Sequence, residues 1–488
     1  MTTCSNRRSL AALSLVLLFA PAASGDDRPN VVLIFCDDLG YADVGFNGGK
    51  DVKTPNLDAL AAGGTICSSG YVAHPFCGPS RMALMAGRYP HLFGGPYNLP
   101  NAGAGIDQYN ALGLPVGEAT LAATLQKAGY RTGAVGKWHM GVSAPYHPNA
   151  RGFDEFYGFL GGGHMYFPER YRPIYERQKA NGTEVFNEYI VPLERNGEEV
   201  VETEYLTDAL SREAVQFVEE SADGDAPFFL YLSYNAPHTP LEAKEEDLAL
   251  FEQIRNEKRR TYAAMVYAVD RGVGELVDAL KARDELEDTL IVFLSDNGGK
   301  LGAGADNTPL KQGKGSVYEG GVRVPMFWSQ PGTVPAGRVY EHPVSAIDFY
   351  PTFAGLAQTE APEDQALEGV DVWDALLAGR PARDGDPIYA VRYYRGFGNV
   401  GIRRGPWKIV KVGSQSGWQL FDVTRDVGET KDVSADHPEV VKSLVAEAET
   451  WSRSHVKPLW FHTEKAGQDW EETDMPNYNR TFSTGLPR

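Results

Sequence analysis

A chain of 488 residues is long enough to bury a large core and reads as one big domain with a smaller one attached. Its composition, 42% hydrophobic and 23% charged, is that of an ordinary globular protein, without a low-complexity tract or a repeat. The formal net charge of −19 argues against a nucleic-acid partner and against electrostatic membrane attachment, and it obliges any anionic substrate to enter a local cationic pocket.

Residues 1–25 read as a secretion signal: Arg7-Arg8, the apolar run Leu10–Ala20, then small residues from Pro21 to Gly25. The run is too short to span a bilayer, so no membrane span is expected and the mature chain belongs in the periplasm or outside the cell. Arg7-Arg8 leaves general and twin-arginine export both open. Asn30–Phe35 is then a continuous apolar run rich in β-branched residues, the pattern of a strand buried on both faces. It ends at Cys36-Asp37-Asp38-Leu39-Gly40, an acidic pair placed either to hold a cation at a strand's carboxyl end or to cap a turn. Thr54–Gly63 reads as a short helix.

In Cys77-Gly-Pro79-Ser80-Arg81, Pro79 suits a first helical turn and Gly87 a stop, with helix over Ser80–Ala86. Cys77 falls at the helix N-terminus, where a lowered thiol pKa suits a nucleophile or an anion site; a buried structural cysteine is the alternative. Glu118–Ala128 is expected as helix and Arg131–Gly136 as strand, running into Lys137-Trp138-His139. The loop-like stretches Arg151–Gly158 and Gly161–Phe167, with Trp138, Tyr157, Tyr166 and Phe167, suit a pocket rim or ordinary core. The charged stretch Glu169–Glu204 reads as a surface excursion with a hairpin.

Pro227–Ser233 is another buried strand, followed by Asn235-Ala-Pro-His238, and a long helix covers Glu257–Lys281. Thr289–Leu294 repeats the first strand's character and ends in Ser295-Asp296-Asn297-Gly-Gly. Side by side in one sheet, Asp37, Asp38, Asp296 and Asn297 converge, and three carboxylates there need a hard cation, Ca²⁺ or Mg²⁺. Leu310–Pro325 is a Gly-rich loop carrying Lys311 and Lys314, a composition that cradles oxyanions and also makes surface turns. A strand over Arg323–Trp328 and a helix over Val344–Ala357 follow. The pattern breaks around Ala361–Asp386, and short alternating runs then give way to a helix near Pro438–Ser454 and an aromatic tail. The order of elements predicts an α/β fold: a large mixed, mostly parallel sheet flanked by helices over residues 26–375, and a smaller antiparallel sheet plus helix over 376–488.

Cys77-x-Pro79-Ser80-Arg81 resembles the signature of the type I, formylglycine-dependent sulfatases of the alkaline phosphatase superfamily. The other segments match in family order from about Arg28 to about Asp432, including Leu420-Phe-Asp-Val…Asp426-Val-Gly-Glu429. Met85-Ala86 and Val427 depart from the usual residues. The resemblance implies an alkaline-phosphatase-like fold and a sulfuric ester hydrolase. It also implies that Cys77 is converted to Cα-formylglycine by formylglycine-generating machinery, which leaves Cys36 and Cys67 to pair or to stay free. Asp37, Asp38, Asp296, Asn297 and residue 77 would hold the metal, calcium first and magnesium as the alternative. Arg81 would hold the formylglycine, Lys137 and Lys314 the sulfate, His238 would be the general acid as an imidazolium, and His139 would take the proton that regenerates the aldehyde. His74, His91 and His164 either line the pocket or are satisfied structural histidines, and the substrate in this reading is a sulfated carbohydrate. A phosphatase, phosphodiesterase or phosphonate hydrolase on the same scaffold is one alternative; a secreted carbohydrate-binding protein with unmodified Cys77 is another.

Overall fold

The computed structural model describes residues 1–2, 27–100, 106–182, 187–383, 385–393, 397–461 and 463–486, so the expected secretion signal lies almost wholly outside the described residues. Among those residues, ten strands form the main sheet: β1 (Asn30–Cys36), β2 (Thr65–Cys67), β3 (Arg131–Lys137), β4 (Glu155–Phe159), β5 (Glu194–Arg195), β6 (Glu198–Glu199), β7 (Phe228–Ser233), β8 (Thr289–Ser295), β9 (Met326–Ser329) and β10 (Arg338–Tyr340). Their spatial order is β10-β2-β9-β8-β1-β7-β3-β4-β5-β6. The five strands from β8 to β4 are mutually parallel, and the edges carry the antiparallel pairs. This is the large mixed, mostly parallel sheet the sequence predicts. β1, β7 and β8 are buried at every position, as unbroken apolar runs require when helices cover both faces.

Alternate residues of β1 feed two cores. Val31, Leu33 and Phe35 pack with α2 (Cys77–Ala86), α3 (Leu121–Lys127) and α7 (Phe349–Leu356). Val32 and Ile34 pack with α1 (Pro55–Ala62), α5 (Leu206–Ser221) and α6 (Glu257–Ala282). The C-terminal region is an antiparallel sheet of β11 (Ile388–Tyr393), β12 (Phe397–Arg404), β13 (Trp407–Val412) and β14 (Gln419–Asp422), covered by α8 (Pro438–Ser452) and α9 (Glu464–Ser483).

Three local expectations change. Val344–Ser345 pairs with Gly70–Tyr71, and a capping box between Ser345 and Asp348 delays the helix to Phe349. The strand expected from Arg323 begins at Met326, because Glu319–Val322 forms a helical turn. The excursion contains the hairpin β5–β6 and also a helix, α4 (Pro168–Ala180). Cys36 and Cys67 are both free and buried: they end β1 and β2, which β8 and β9 separate, so no disulfide joins them.

Candidate active site

Register brings the pocket together. Cys36 lies opposite Ser295, so Asp37 and Asp296 leave β1 and β8 at the same level. On the other side of β1, Phe35 lies opposite Ser233, which in turn faces Gly136 on β3. The segments Asp37-Asp38, Lys137–His139, Asn235–His238 and Asp296-Asn297 therefore emerge together at the carboxyl edge of the sheet, where open α/β sheets gather ligands. Gly136 is required there: its φ is +109°, and a Cβ would come within 2.0 Å of the Ser233 carbonyl oxygen. Asp38 and His139 also adopt left-handed backbone, at φ of 67° and 59°, a conformation that non-glycine residues hold where the surroundings impose it.

Helix α2 points its start into this pocket. The Cys77 thiol donates to Asp37 Oδ1 at 3.3 Å and accepts from Lys314 Nζ at 3.1 Å. Burial, then Asp296 and Asp37, push the thiol pKa up, which reverses the lowering expected of a cysteine at a helix N-terminus. Arg81, one turn on, is fully buried and donates to Asp296 Oδ2 from Nε at 3.0 Å and from Nη2 at 2.8 Å. Its Nη1 reaches Ser233 Oγ at 2.5 Å. Lys137 Nζ lies 2.5 Å from Asp37 Oδ2, and Lys314 Nζ lies 2.5 Å from Asp38 Oδ1. Burial works against ionisation of Asp38, but Lys314, His238 and the Asn297 amide hold its carboxyl below the usual range. Burial and Asp37 raise that of Asp296 against Arg81.

Two buried oxygens in this pocket, Asp38 Oδ2 and Asn297 Oδ1, have no hydrogen-bond partner. Ligand atoms of Asp37, Asp38, Cys77 and His238 all lie within 4.8 Å of one another. Asp296 lies outside that group of four: its Oδ2 is held by Arg81 and its Oδ1 accepts from the Asp38 amide at 3.2 Å. Buried oxygen donors without partners, beside a thiol and an imidazole, fit a metal ion.

His238 fixes its tautomer by placing Nδ1 2.7 Å from the Thr239 carbonyl, leaving Nε2 3.8 Å from Asp38 Oδ2. Burial and then Lys314 push its pKa down to about 3 against Asp38, a pull against the imidazolium expected of a general acid. His139 is likewise held well below the usual range by burial, Lys137 and Arg81.

Of the three further histidines read along the pocket, His164 and His74 do different things here. His164 has both ring nitrogens on main-chain carbonyls, of Met165 at 2.6 Å and Val191 at 2.7 Å, so neither is available to a ligand. His74 accepts the Phe76 amide through Nδ1 and stacks towards His91, 5.7 Å between ring centroids. Trp138, Tyr157 and Tyr166 are core rather than rim; Tyr166 donates to the His238 carbonyl at 2.8 Å and so positions that segment. The sequence reading missed two side chains that come to the mouth. Glu188 accepts from Gly162 N at 2.9 Å, beside His139, and the Tyr189 ring lies 6.4 Å from that of His238. Both sit in the excursion, where composition carries no site signal.

Comparison with known proteins sets this geometry among relatives. The sulfatase family model matches residues 29–359, and the model for the C-terminal region of N-sulphoglucosamine sulphohydrolase matches residues 312–453. N-acetylgalactosamine-6-sulfatase of Canis lupus familiaris is 33% identical over 409 residues, 82% of this chain and 75% of its own length. The crystal structure of Ps i-CgsB in complex with k-i-k-neocarrahexaose is 54% identical with a TM-score of 0.90, covering 94% of this chain and 100% of that one. The PsFucS1 sulfatase from Pseudoalteromonas sp. is 26% identical with a TM-score of 0.70, covering 88% of this chain and 91% of its own.

Proposed function

The chain belongs to the sulfatase family, a family of sulfuric ester hydrolases, and from that premise we propose that it is an exported enzyme removing sulfate from galactan oligosaccharides of the carrageenan type. Cys77 is the residue oxidised to formylglycine, and Asp37, Asp38, Asp296 and Asn297 hold a divalent cation, calcium in the first instance. The oligosaccharide carried by a structure 54% identical to this chain supports the substrate class. The observation that carries the chemistry is the buried convergence of unpartnered oxygens, Asp38 Oδ2 and Asn297 Oδ1, on the segment that bears Cys77.

Oxidised residue 77 supplies a hydrated aldehyde as nucleophile, and a bound cation supplies Lewis acidity toward sulfate oxygens. The chain's own groups do the rest. Lys314, 3.1 Å from Cys77 Sγ, and Lys137 offer fixed positive charge to an anion placed against residue 77. Arg81, tied to Asp296 and Ser233, fixes the start of α2 relative to β8. His238 Nε2 is the atom free to exchange a proton with the ester oxygen, and an anionic substrate opposes the downward pull that Lys314 exerts on this ring. His139 Nδ1 has no hydrogen-bond partner and serves the remaining hydroxyl.

Mass spectrometry of the peptide spanning residue 77, from protein made alongside formylglycine-generating machinery, tests this reading together with sulfate release from k-i-k-neocarrahexaose. Aldehyde at residue 77 with sulfate release is expected. Aldehyde without release from any galactan oligosaccharide removes the substrate, and thiol throughout removes the nucleophile.

A further inference from the structure

An open cleft of about 420 Å³ adjoins the pocket on the side of Lys314. Its volume is in the range of small-ligand sites, roughly 300–1,000 Å³. Three segments far apart in sequence build it: the turn at Lys300-Leu301, which follows the Asp296-Asn297 strand end; the loop Gln312–Ser316; and Arg392 from β11 of the C-terminal sheet. Among the described residues its lining includes three basic side chains, Lys300, Lys314 and Arg392, and no carboxylate. In a chain with 65 acidic and 46 basic residues that local excess runs against the overall sign. The reaction at residue 77 uses only Lys314 of the three.

The cleft is built rather than incidental. Arg392 donates from Nη1 to the Gly315 carbonyl at 2.6 Å, and its guanidinium lies over the Phe76 ring, 4.7 Å from the centroid. Gly315 itself donates to the Pro75 carbonyl at 2.9 Å and sits at φ of +82°, where a Cβ would meet Phe76 at 2.9 Å and Arg392 Nη1 at 3.3 Å. Arg392, the Lys314 loop and the residues just before Cys77 are thus packed as one wall. Lys300 is exposed at the rim and pairs with no carboxylate among the described residues. Beside it Leu301 is 55% exposed, an apolar step suited to the C–H face of a sugar ring. Lys314 divides the cleft from the pocket: its Nζ lies 3.1 Å from Cys77 Sγ and 2.5 Å from Asp38 Oδ1, so its charge belongs to the pocket.

The geometry points to a second anion subsite: the cleft between Lys300 and Arg392 takes the sulfate of a sugar adjoining the one being desulfated. The protein therefore selects chains sulfated on neighbouring sugars. This rests on the sulfatase reading and adds to it a recognition element supplied jointly by the catalytic sheet and the C-terminal sheet. A charge-assisted contact of this kind moves binding by about tenfold or more.

The test compares two galactan oligosaccharides of equal length, one with a single sulfate and one with sulfates on adjacent sugars, using protein whose residue 77 is shown to be oxidised. The wild type is expected to favour the second by about tenfold in kcat/KM. Lys300→Glu should erase that preference, and Arg392→Gln should reduce it. Equal reaction of the two oligosaccharides, or a preference that survives both substitutions, overturns the subsite. Failure of the oxidised wild type to release sulfate from either one overturns the sulfatase-on-galactan reading instead.

Discussion

Two of the buried charge clusters among the described residues are built from the same kinds of side chain. One is the pocket around Cys77. The other is the seam where the C-terminal sheet meets the main domain, centred on Glu319. There Lys408 Nζ lies 2.7 Å from Glu319 Oε1, Tyr71 donates to Oε2 at 2.6 Å, and Arg323 lies 3.1 Å from the same oxygen. Glu429 Oε2 accepts the Glu319 amide at 2.7 Å, and Arg403 donates to the Tyr71 hydroxyl. Both Glu319 oxygens are thus bonded, and Glu429 Oε1, which accepts no hydrogen bond, still faces the Lys408 ammonium at 3.3 Å, whereas the pocket leaves Asp38 Oδ2 and Asn297 Oδ1 without a hydrogen-bond partner. Satisfied buried charge specifies how two parts fit; unsatisfied buried charge marks where something else must bind.

Substitutions that separate the two clusters sharpen this contrast. The largest effect is expected at the pocket: Cys77→Ala should lower turnover by at least about a thousandfold while leaving the melting temperature near that of the wild type. A stability loss as large as the activity loss would merge the two clusters into one structural unit. At the seam the order reverses. Glu319→Gln breaks a buried pair with Lys408 and should cost about 3–5 kcal/mol in a denaturant titration. A midpoint unchanged by that substitution would show the seam to be a solvated contact. Third comes cation removal. Chelation should abolish activity and lower the unfolding free energy by about 2.7 kcal/mol relative to Ca²⁺ at a hundred times its Kd. Calcium should restore both, and Asp38→Asn should blunt the response.

The two clusters were not equally legible in the sequence. The pocket announces itself because parallel strands buried on both faces read as unbroken apolar runs, so β1 and β8 point straight at Asp37-Asp38 and Asp296-Asn297. The Cys77 helix and its Gly87 stop are equally local, with Gly87 at φ of +64°. The seam has no such signature. Glu319, Lys408 and Glu429 meet only through tertiary packing, and each alone reads as a surface charge. The same holds for Lys300 and Arg392. Helix α5 was within reach, since Leu206, Ala209, Leu210, Ala214, Phe217 and Val218 form a helical stripe, but it follows the charged excursion and went unread. Helix α4 offered less: among its residues only Pro168 and Tyr171 are buried, and Pro173 lies inside it. The expected lowering of the Cys77 pKa failed because burial beside two carboxylates outweighs a helix terminus.

The smallest expected effect probes the seam from its other end, where a histidine that the sequence leaves open between pocket and structure serves packing. His91 is fully buried, facing His74, Tyr393, Trp451 and His455, with the His455 ring stacked 4.7 Å away. Burial pushes its pKa down to about 3, with the Val391 main chain opposing, so the folded protein holds this ring neutral while the unfolded chain protonates it near the ordinary value. The unfolded state therefore binds more protons throughout the interval between those values, and stability contributed by His91 falls as pH falls. Between about pH 7 and pH 5 the loss attributable to this group is up to about 2 kcal/mol. The measurement is the difference in unfolding free energy between wild type and His91→Phe at the two pH values, which cancels the titrating groups that His91 does not touch and leaves its own change with those of His74 and His455. A difference that shrinks toward acid, with the phenylalanine variant losing less, is expected because only the wild type then carries a ring that water protonates and the seam does not. A pH-independent difference would overturn the packing role and place the His91 ring in contact with solvent.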